Sequence, residues 1–366
     1  MKGRQVVLYE PLKPMRIEEY EVPEPEPGAM VLKVVQAGIC GTDLHSWRGT
    51  MSAAPLPSNG RAMGHEGGSV VFALGKGVTV DALGRPIREG DRVIHTAIRP
   101  CNRCAQCLNG DYNWCPTGFA VVAAGSHPYF LGTFADYYYV GPNQPVFLVP
   151  PELPDSVLSF INCAMGTVAE GLLRAGASIG QSLVIQGAGG LGLNAAALAK
   201  GMGVHHVIVL DRLQNRLQLA EEFGADHTID IGEYDTPEAR VARVWELTGG
   251  RGADIVMELV GRSELLLEGV DFLANGGTVI PIGSTGGRKI EFDPSTLLRG
   301  KKIMGSYMYR PKLLPMLMDF LVENLAKVPY HKIISHSFPL AEVNEAFAQA
   351  EWADRQTTIT RAVLVP

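Results

Sequence analysis

Two rhythms of apolar and polar positions divide the 366-residue chain. Up to about residue 150, short apolar runs such as Met30-Val31-Leu32-Lys33-Val34-Val35 and Gly67-Gly68-Ser69-Val70-Val71-Phe72 are separated by Gly and Pro. Gly90-Asp91 turns into a further run at Arg92-Val93-Ile94. Irregular short strands of this kind predict a barrel or sandwich rather than a βα alternation. The Pro-rich piece from Val22 to Pro27 reads as an extended connector. From about residue 165, Val- and Ile-rich runs alternate with helical stretches. Ser182 to Gln186, His206 to Leu210, Ala253 to Glu258 and Thr278 to Ile282 predict strands buried on both faces. Leu213 to Phe223 and Glu238 to Leu247 predict the helices between them, with Gly224 and Gly249 placed to end them. That alternation predicts an α/β doubly wound parallel sheet. After about residue 305 the rhythm stops, so the expected domains are 1–160 joined by 306–366, and 161–305.

Length changes this picture little, because a single core stops growing near ~250–300 residues and two domains are the default above that. Composition is that of a globular protein, with 46% hydrophobic and 19% charged residues. A net charge of −6 offers no basic excess for a phosphate backbone, which argues against nucleic acid as a partner. The N-terminus runs straight into Val6-Val7-Leu8 without the apolar segment of a signal peptide, so a cytoplasmic location is expected. The uncharged stretch from Ala175 to Ala199 is long enough to cross a bilayer, but its glycines and polar residues suit a strand, a turn and a buried helix start instead. No membrane association is expected.

The predicted strand ending at Gln186 is followed by Gly187-Ala188-Gly189-Gly190-Leu191-Gly192, opening a helix expected from Leu193 to Met202. A GxGxxG string alone is weak; after a strand and before a helix it fits dinucleotide binding. The first glycine permits the turn, the second lets backbone approach a pyrophosphate, and the third lets helix and strand pack closely. Asp211 lies 19 residues beyond Gly192, at the end of the next strand, where a carboxylate accepts from the adenosine ribose hydroxyls. This favours NAD over NADP, whose 2′-phosphate the carboxylate would repel, although Arg212 and Arg216 stand close by.

Without an export signal, six cysteines point to metal ligation or catalysis rather than disulfides. Cys101, Cys104, Cys107 and Cys115 are spaced C-x2-C-x2-C-x7-C among turn formers, in a lobe from about residue 98 to 118. Four thiolates close a tetrahedral zinc shell and leave no place for water, which makes such a site structural. An iron-sulfur cluster is the rival, suggested by Cys115-Pro116, though its runs end on a shorter gap. Cys40 and Cys163 lie far apart and, with His65, make a Cys2His set that leaves a fourth zinc position open, the mark of a catalytic metal. Taken singly, Cys163 reads first as a buried small hydrophobe and His65 as a core histidine; it is the constellation that reverses this.

The blocks Gly38 to His45, Gly64-His65-Glu66, the four-cysteine lobe, Cys163-Ala164-Met165-Gly166-Thr167, the glycine turn, Asp211 and Arg361 together resemble the zinc-dependent medium-chain dehydrogenases, the alcohol dehydrogenase superfamily. The resemblance spans most of the chain. It implies a GroES-like catalytic domain made of the N-terminal part and the C-terminal tail, with a Rossmann domain between. It implies that Cys40, His65 and Cys163 hold catalytic zinc, that Glu66 is the acidic neighbour approaching the metal during ligand exchange, and that Asp43 orients His65. Thr42 and His45 would relay a proton through the nicotinamide ribose to solvent. Thr167 and Leu191 would hold the nicotinamide, and Arg361 the pyrophosphate. Gly41 departs from members with a basic residue there, and Cys163 departs from the polyol branch, which often uses a carboxylate.

The expected chemistry is reversible hydride transfer between an alcohol carbon and NAD, with two zinc ions per chain. Zinc lowers the pKa of a bound water from ~15.7 to about 7 and should act similarly on an alcohol. His45 suits proton removal because its ordinary pKa of ~6.5 lies near working pH. Trp47, Met51, Phe119, Tyr129, Met165 and Tyr307 suggest an apolar pocket and a hydrophobic primary or secondary alcohol, although such residues serve equally as core. The alternatives are a polyol or amino-alcohol dehydrogenase and a relative that binds zinc and NAD without catalysis. A homodimer or homotetramer is expected by analogy with the family.

Overall fold

The computed structural model describes residues 1–51, 56–119, 123–283, 289–351, 357 and 359–366. The chain forms two compact units: Met1–Gly166 with Tyr309–Asn324 and Ile334–Pro366, and Thr167–Met308 with Leu325–Ile333.

Among the described residues the first unit is built on two sheets. A three-stranded sheet takes the order Arg16–Glu21, Lys2–Leu8, Arg61–Ala62. A seven-stranded sheet runs from His336–Pro339 through Ala362–Val365, Met30–Gly38, Gly68–Leu74 and Arg92–His95 to Val146–Leu148, with Tyr137–Val140 also paired to Met30–Gly38. Most of its pairs are antiparallel. Their inward faces meet in one core that includes Val6, Leu32, Val34, Phe134, Phe347 and Leu364, all at most 3% exposed. The C-terminal strand pairs Val363 with Gly38 and Leu364 with Ala37, and the Ile39 N–H donates to the Ala362 carbonyl at 2.9 Å. The tail of the chain is thereby stitched beside residues 38–40.

The second unit carries a six-stranded parallel sheet in the order His227–Asp230, His206–Asp211, Ser182–Gln186, Ala253–Glu258, Leu273–Pro281, Lys302–Ile303. The chain order reverses between Ser182–Gln186 and Ala253–Glu258, the doubly wound arrangement with a ligand crevice at the carboxyl ends of those strands. Val184, Ile208, Ile229, Val256 and Val279 are at most 1% exposed. Burial on both faces is why these strands read as continuous apolar runs.

Two elements differ from their sequence expectation. The strand expected at Thr278 to Ile282 begins earlier, at Leu273, and the ladder to its neighbour shifts register between Ala253 and Ile255. Asn275-Gly276-Gly277 carries no apolar signal and falls in that irregularity, between the Leu273 pair and the Thr278 pair. The helix expected from Leu193 starts at Gly190, because glycines chosen for backbone access carry no helix signal of their own. Described residues include one helical run, Asp155–Ala175, long and apolar enough to cross a bilayer; 83% of its apolar window is buried inside the protein, as in a core helix.

Candidate active site and dinucleotide turn

Cys40 ends an extended segment and caps the helix Gly41–Arg48. Asp43, in the first turn, accepts a hydrogen bond from the Cys40 N–H through Oδ2 at 2.9 Å. Its other oxygen stands 3.3 Å from His65 Nδ1. One carboxylate thus caps the helix and fixes the imidazole, so that Nε2 is the nitrogen left to act. Among the described residues that Nε2 is buried with no partner at hydrogen-bond distance, and the Cys40 thiol is the group that acts on the ring besides Asp43. The Cys40 and Cys163 sulfurs lie 4.0 Å apart, and the ligand atoms of Cys40, His65, Glu66 and Cys163 all fall within 4.8 Å of one another. Two sulfurs bound tetrahedrally at about 2.3 Å to one zinc stand ~3.8 Å apart, so the spacing fits a shared ion.

Electrostatics agree with a thiolate-rich site. The Cys163 thiol, then His65 and Arg361, pull the Cys40 thiol well below its usual range against the effect of burial. Burial lowers His65, but Asp43 and Cys40 outweigh it and raise it to about 10. A divalent cation fits where that proton sits, since it neutralises the same thiolates and needs the neutral imidazole.

Cys163 arrives by a different route. It sits in a single π-helical turn, Ile161–Met165, an irregular helix type frequent at functional sites. Asn162 anchors that turn: its side-chain nitrogen donates to the carbonyls of His65 at 3.3 Å and His95 at 3.0 Å, and its oxygen accepts from the Gly67 N–H at 3.3 Å. Tyr309 donates to the Asn162 carbonyl and accepts from the Ala97 N–H at 3.0 Å. Sequence reasoning missed both residues. The only signal was a polar Asn in an otherwise apolar run beside the cysteine.

Glu66 is fully buried and ion-paired to Arg361, itself 6% exposed. The pair depends on Gly38, where an added Cβ would stand 2.3 Å from Glu66 Oε2. Thr42 and His45 lie on one face of the Gly41–Arg48 helix, as residues three apart must. The His45 Nδ1 is 2.9 Å from the Thr50 hydroxyl, and burial, then Arg48, holds the ring below its ordinary pKa.

The second cluster is local. Cys101, Cys104, Cys107 and Cys115 bring their sulfurs within 4.8 Å of one another. Cys104 caps the short helix Ala105–Leu108 and accepts from the Cys107 N–H, and Cys115 accepts from the Cys101 N–H, both at 3.4 Å. Asn102 and Gly110 adopt the left-handed conformation that tight turns demand. Burial pushes the Cys107 thiol up to about 12, aided by Cys104. Burial also raises Cys115, but the Thr117 hydroxyl and backbone N–H groups win and bring it down to about 6.

In the second unit Gly187 has φ +103° and an added Cβ on Gly192 would stand 2.0 Å from the Gly187 carbonyl oxygen, so neither position accepts a side chain. Gly189 caps the Gly190–Gly201 helix with no side-chain hydrogen bond, and a Cβ there would meet nothing within 4 Å. Open space over an uncapped helix N-terminus is a cradle for a pyrophosphate. Asp211 closes the turn: Oδ2 accepts from the Ala188 N–H at 2.8 Å, and Oδ1 from the N–H groups of Arg212 and Leu213 at 2.7 and 3.0 Å. Arg216 Nη1 lies 4.0 Å from that carboxylate, close enough to soften its charge. Leu191 lies in the first turn of the helix, and Thr167 is 9% exposed.

Of the six residues expected to form an apolar pocket, only Phe119 lines the cavity beside His65, its ring edge-on to the imidazole at 5.4 Å. Trp47 packs on Phe347 and donates to the Lys13 carbonyl; Tyr129 stacks on Tyr20. Met165 is fully buried, whereas Met51 and Tyr307 are 36% and 50% exposed.

Comparison with known proteins agrees with this arrangement. Residues 26–151 match the alcohol dehydrogenase GroES-like domain, and residues 190–323 match the zinc-binding dehydrogenase domain. The 5-exo-hydroxycamphor dehydrogenase of Pseudomonas putida is 32% identical over 90% of this chain and 91% of its own length. Alcohol dehydrogenase 1 of Pisum sativum is 26% identical over 95% of this chain and 93% of its own. A crystal structure of a Thermotoga maritima alcohol dehydrogenase superposes with a TM-score of 0.90 at 27% identity, covering 100% of both chains. A zinc-binding dehydrogenase of Sinorhizobium meliloti bound to NADP gives a TM-score of 0.83 at 28% identity, again covering 100% of both. The chain belongs to the zinc-dependent medium-chain alcohol dehydrogenase superfamily, an oxidoreductase fold of a GroES-like and a Rossmann domain.

Proposed function

We propose that the protein oxidises an alcohol to an aldehyde or ketone with NAD, reversibly, using one zinc ion at Cys40, His65 and Cys163 and a second, structural one at Cys101, Cys104, Cys107 and Cys115. The observation that carries this reading is the buried, unpartnered Nε2 of His65 facing two thiols, a donor set that suits zinc with a vertex to spare. When bound, zinc supplies Lewis acidity toward the alcohol oxygen, and the nicotinamide takes the hydride. The chain's own residues do the rest. Asp43 keeps Nε2 turned to the metal, Asn162 and Tyr309 hold Cys163 in place, and Thr42 accepts the alcohol proton for transfer to His45. Because burial and Arg48 lower its pKa, His45 is neutral near pH 7 and ready to accept.

The glycine turn, Leu191 and Thr167 serve the cofactor, and Asp211 tilts the choice toward NAD, with Arg212 and Arg216 leaving NADP usable. A pyrophosphate contact from Arg361 requires that side chain to leave Glu66, so phosphate and carboxylate compete for one guanidinium. Of the six residues offered for a hydrophobic substrate, Phe119 alone among the described residues lines this cavity, so the cavity lends that preference little support. Assaying NADH formation by zinc-loaded protein against primary, secondary and acidic alcohols tests the function. Zinc-dependent turnover of at least one class is expected, and none in any class overturns it.

A further inference from the structure

A cavity of about 70 Å³ in the first unit shares His65 and Thr42 with the metal and relay residues. Roughly 10–15 Å³ holds one water centre, so the space admits a short molecule of a few heavy atoms. Its wall is mixed, with Met63, Phe119 and Leu131 beside charged groups. Arg61 and Arg99 both line it, in a chain whose overall charge is −6.

Arg61 is held by its backbone, through pairing of the Arg61–Ala62 strand with Lys2–Leu8 and a bridge to Ala123, four residues before His65. Its guanidinium is half-buried and forms no hydrogen bond or ion pair among the described residues. Burial depresses its pKa, with only a partial offset from Asp43. Among the described residues Arg99 hydrogen-bonds through a single nitrogen: Nη2 donates to the Leu131 carbonyl and to the Tyr138 hydroxyl at 3.2 Å, with the guanidinium 5.7 Å over the Tyr138 ring, which leaves its other N–H groups without a hydrogen-bond partner among those residues. Among the described residues Asp43 is the one carboxylate in the wall, and it is already engaged by the Cys40 N–H and His65. Removing a cation from water without a partner is costly, so a guanidinium kept this way beside a reaction site calls for an anion supplied by the ligand. The planar fork of arginine matches a carboxylate in shape and charge.

We propose, resting on the alcohol dehydrogenase reading, that the substrate is a short hydroxy acid whose carboxylate is gripped by Arg61 and Arg99 while its carbinol faces Cys40, His65 and Cys163. The carbinol C–H bond breaks and its hydrogen leaves with both bonding electrons, a hydride that the nicotinamide ring would accept when bound. The hydroxyl proton leaves through Thr42 and His45, a C=O bond forms, and the carboxylate emerges unchanged in an oxo acid. Arg61 is then a specificity-determining residue four positions before a metal ligand.

The test compares zinc-loaded wild type with Arg61→Leu and Arg61→Lys on ω-hydroxy acids of two to six carbons and on the matching neutral diols. Wild type should favour one hydroxy acid over its diol in kcat/KM. Arg61→Leu should lose about 30-fold on that acid, the worth of a charge-assisted hydrogen bond, and so shrink the acid-over-diol preference in kcat/KM by about tenfold or more. Arg61→Lys should recover part of the loss. Butanoate binding, followed by calorimetry without turnover, should weaken in Arg61→Leu in parallel. Oxidation of the diols at least as well as the acids, or unchanged butanoate affinity in Arg61→Leu, overturns the anion pocket and leaves the dehydrogenase reading standing. Failure to oxidise any alcohol removes that reading itself.

Discussion

The two cysteine clusters use the same ligand chemistry on opposite structural plans. In the four-cysteine lobe every ligand lies within one 15-residue stretch, two of the sulfurs are partly exposed, and turn residues do the positioning. In the other, Cys40 and Cys163 are 123 residues apart, both are buried, and a helix cap, a buried Asp–His pair and a π-helical turn are needed to bring them together. A local cluster ties a loop; a long-range one can leave a ligand out, because the fold rather than the loop holds the ion. The first plan therefore suits a structural site and the second a catalytic one.

The comparison breaks most sharply at the ligands. Cys40→Ser or His65→Ala should abolish turnover while dinucleotide binding, read by fluorescence titration, persists, since the glycine turn belongs to the other unit. Cys104→Ser should do the reverse, lowering the melting temperature by roughly 5–10 °C, which about 2–3 kcal/mol produces in a domain of this size, with turnover per folded molecule retained. Equal losses of activity from both substitutions would erase the distinction. Asp43→Asn should cost about 10- to 100-fold in zinc affinity at the buried site, measured by competition with a chelator, and nothing at the lobe. Asp211→Asn should lower kcat/KM with NAD by roughly tenfold and narrow the gap to NADP.

The smallest effect is in pH. His45 must be neutral to take a proton, and its pKa is lowered, so the acid limb of kcat/KM should fall at a pH below its ordinary ~6.5. Arg48→Ala removes a neighbouring cation and should move that limb upward. A limb that stays put would separate His45 from the relay.

What the sequence reveals follows the same divide. Ser182–Gln186 and Ala253–Glu258 were legible to the residue because strands of a parallel sheet, buried on both faces, carry apolar cores such as Leu183-Val184-Ile185 and Ile255-Val256-Met257. The four-cysteine lobe was legible because spacing alone converges its sulfurs. The Arg16–Glu21 strand, mostly charged and half-exposed, carries no such pattern. Asn162, Tyr309 and Arg61 were hidden for a related reason: each acts through a partner distant in sequence or through a cavity, and neither is encoded in local periodicity. The aromatic residues offered for a pocket were ambiguous from the start, because Trp47 and Tyr129 look alike whether they line a site or pack a core; Trp47 packs on Phe347 and Tyr129 on Tyr20.

Counting zinc decides between the two plans directly. Elemental analysis of the purified protein should return two zinc ions per chain, and Cys40→Ser should return one, with an unchanged melting temperature near the lobe's contribution and no turnover. Two ions still bound in Cys40→Ser, or full activity with one, would contradict the assignment of Cys40, His65 and Cys163 as the catalytic metal centre.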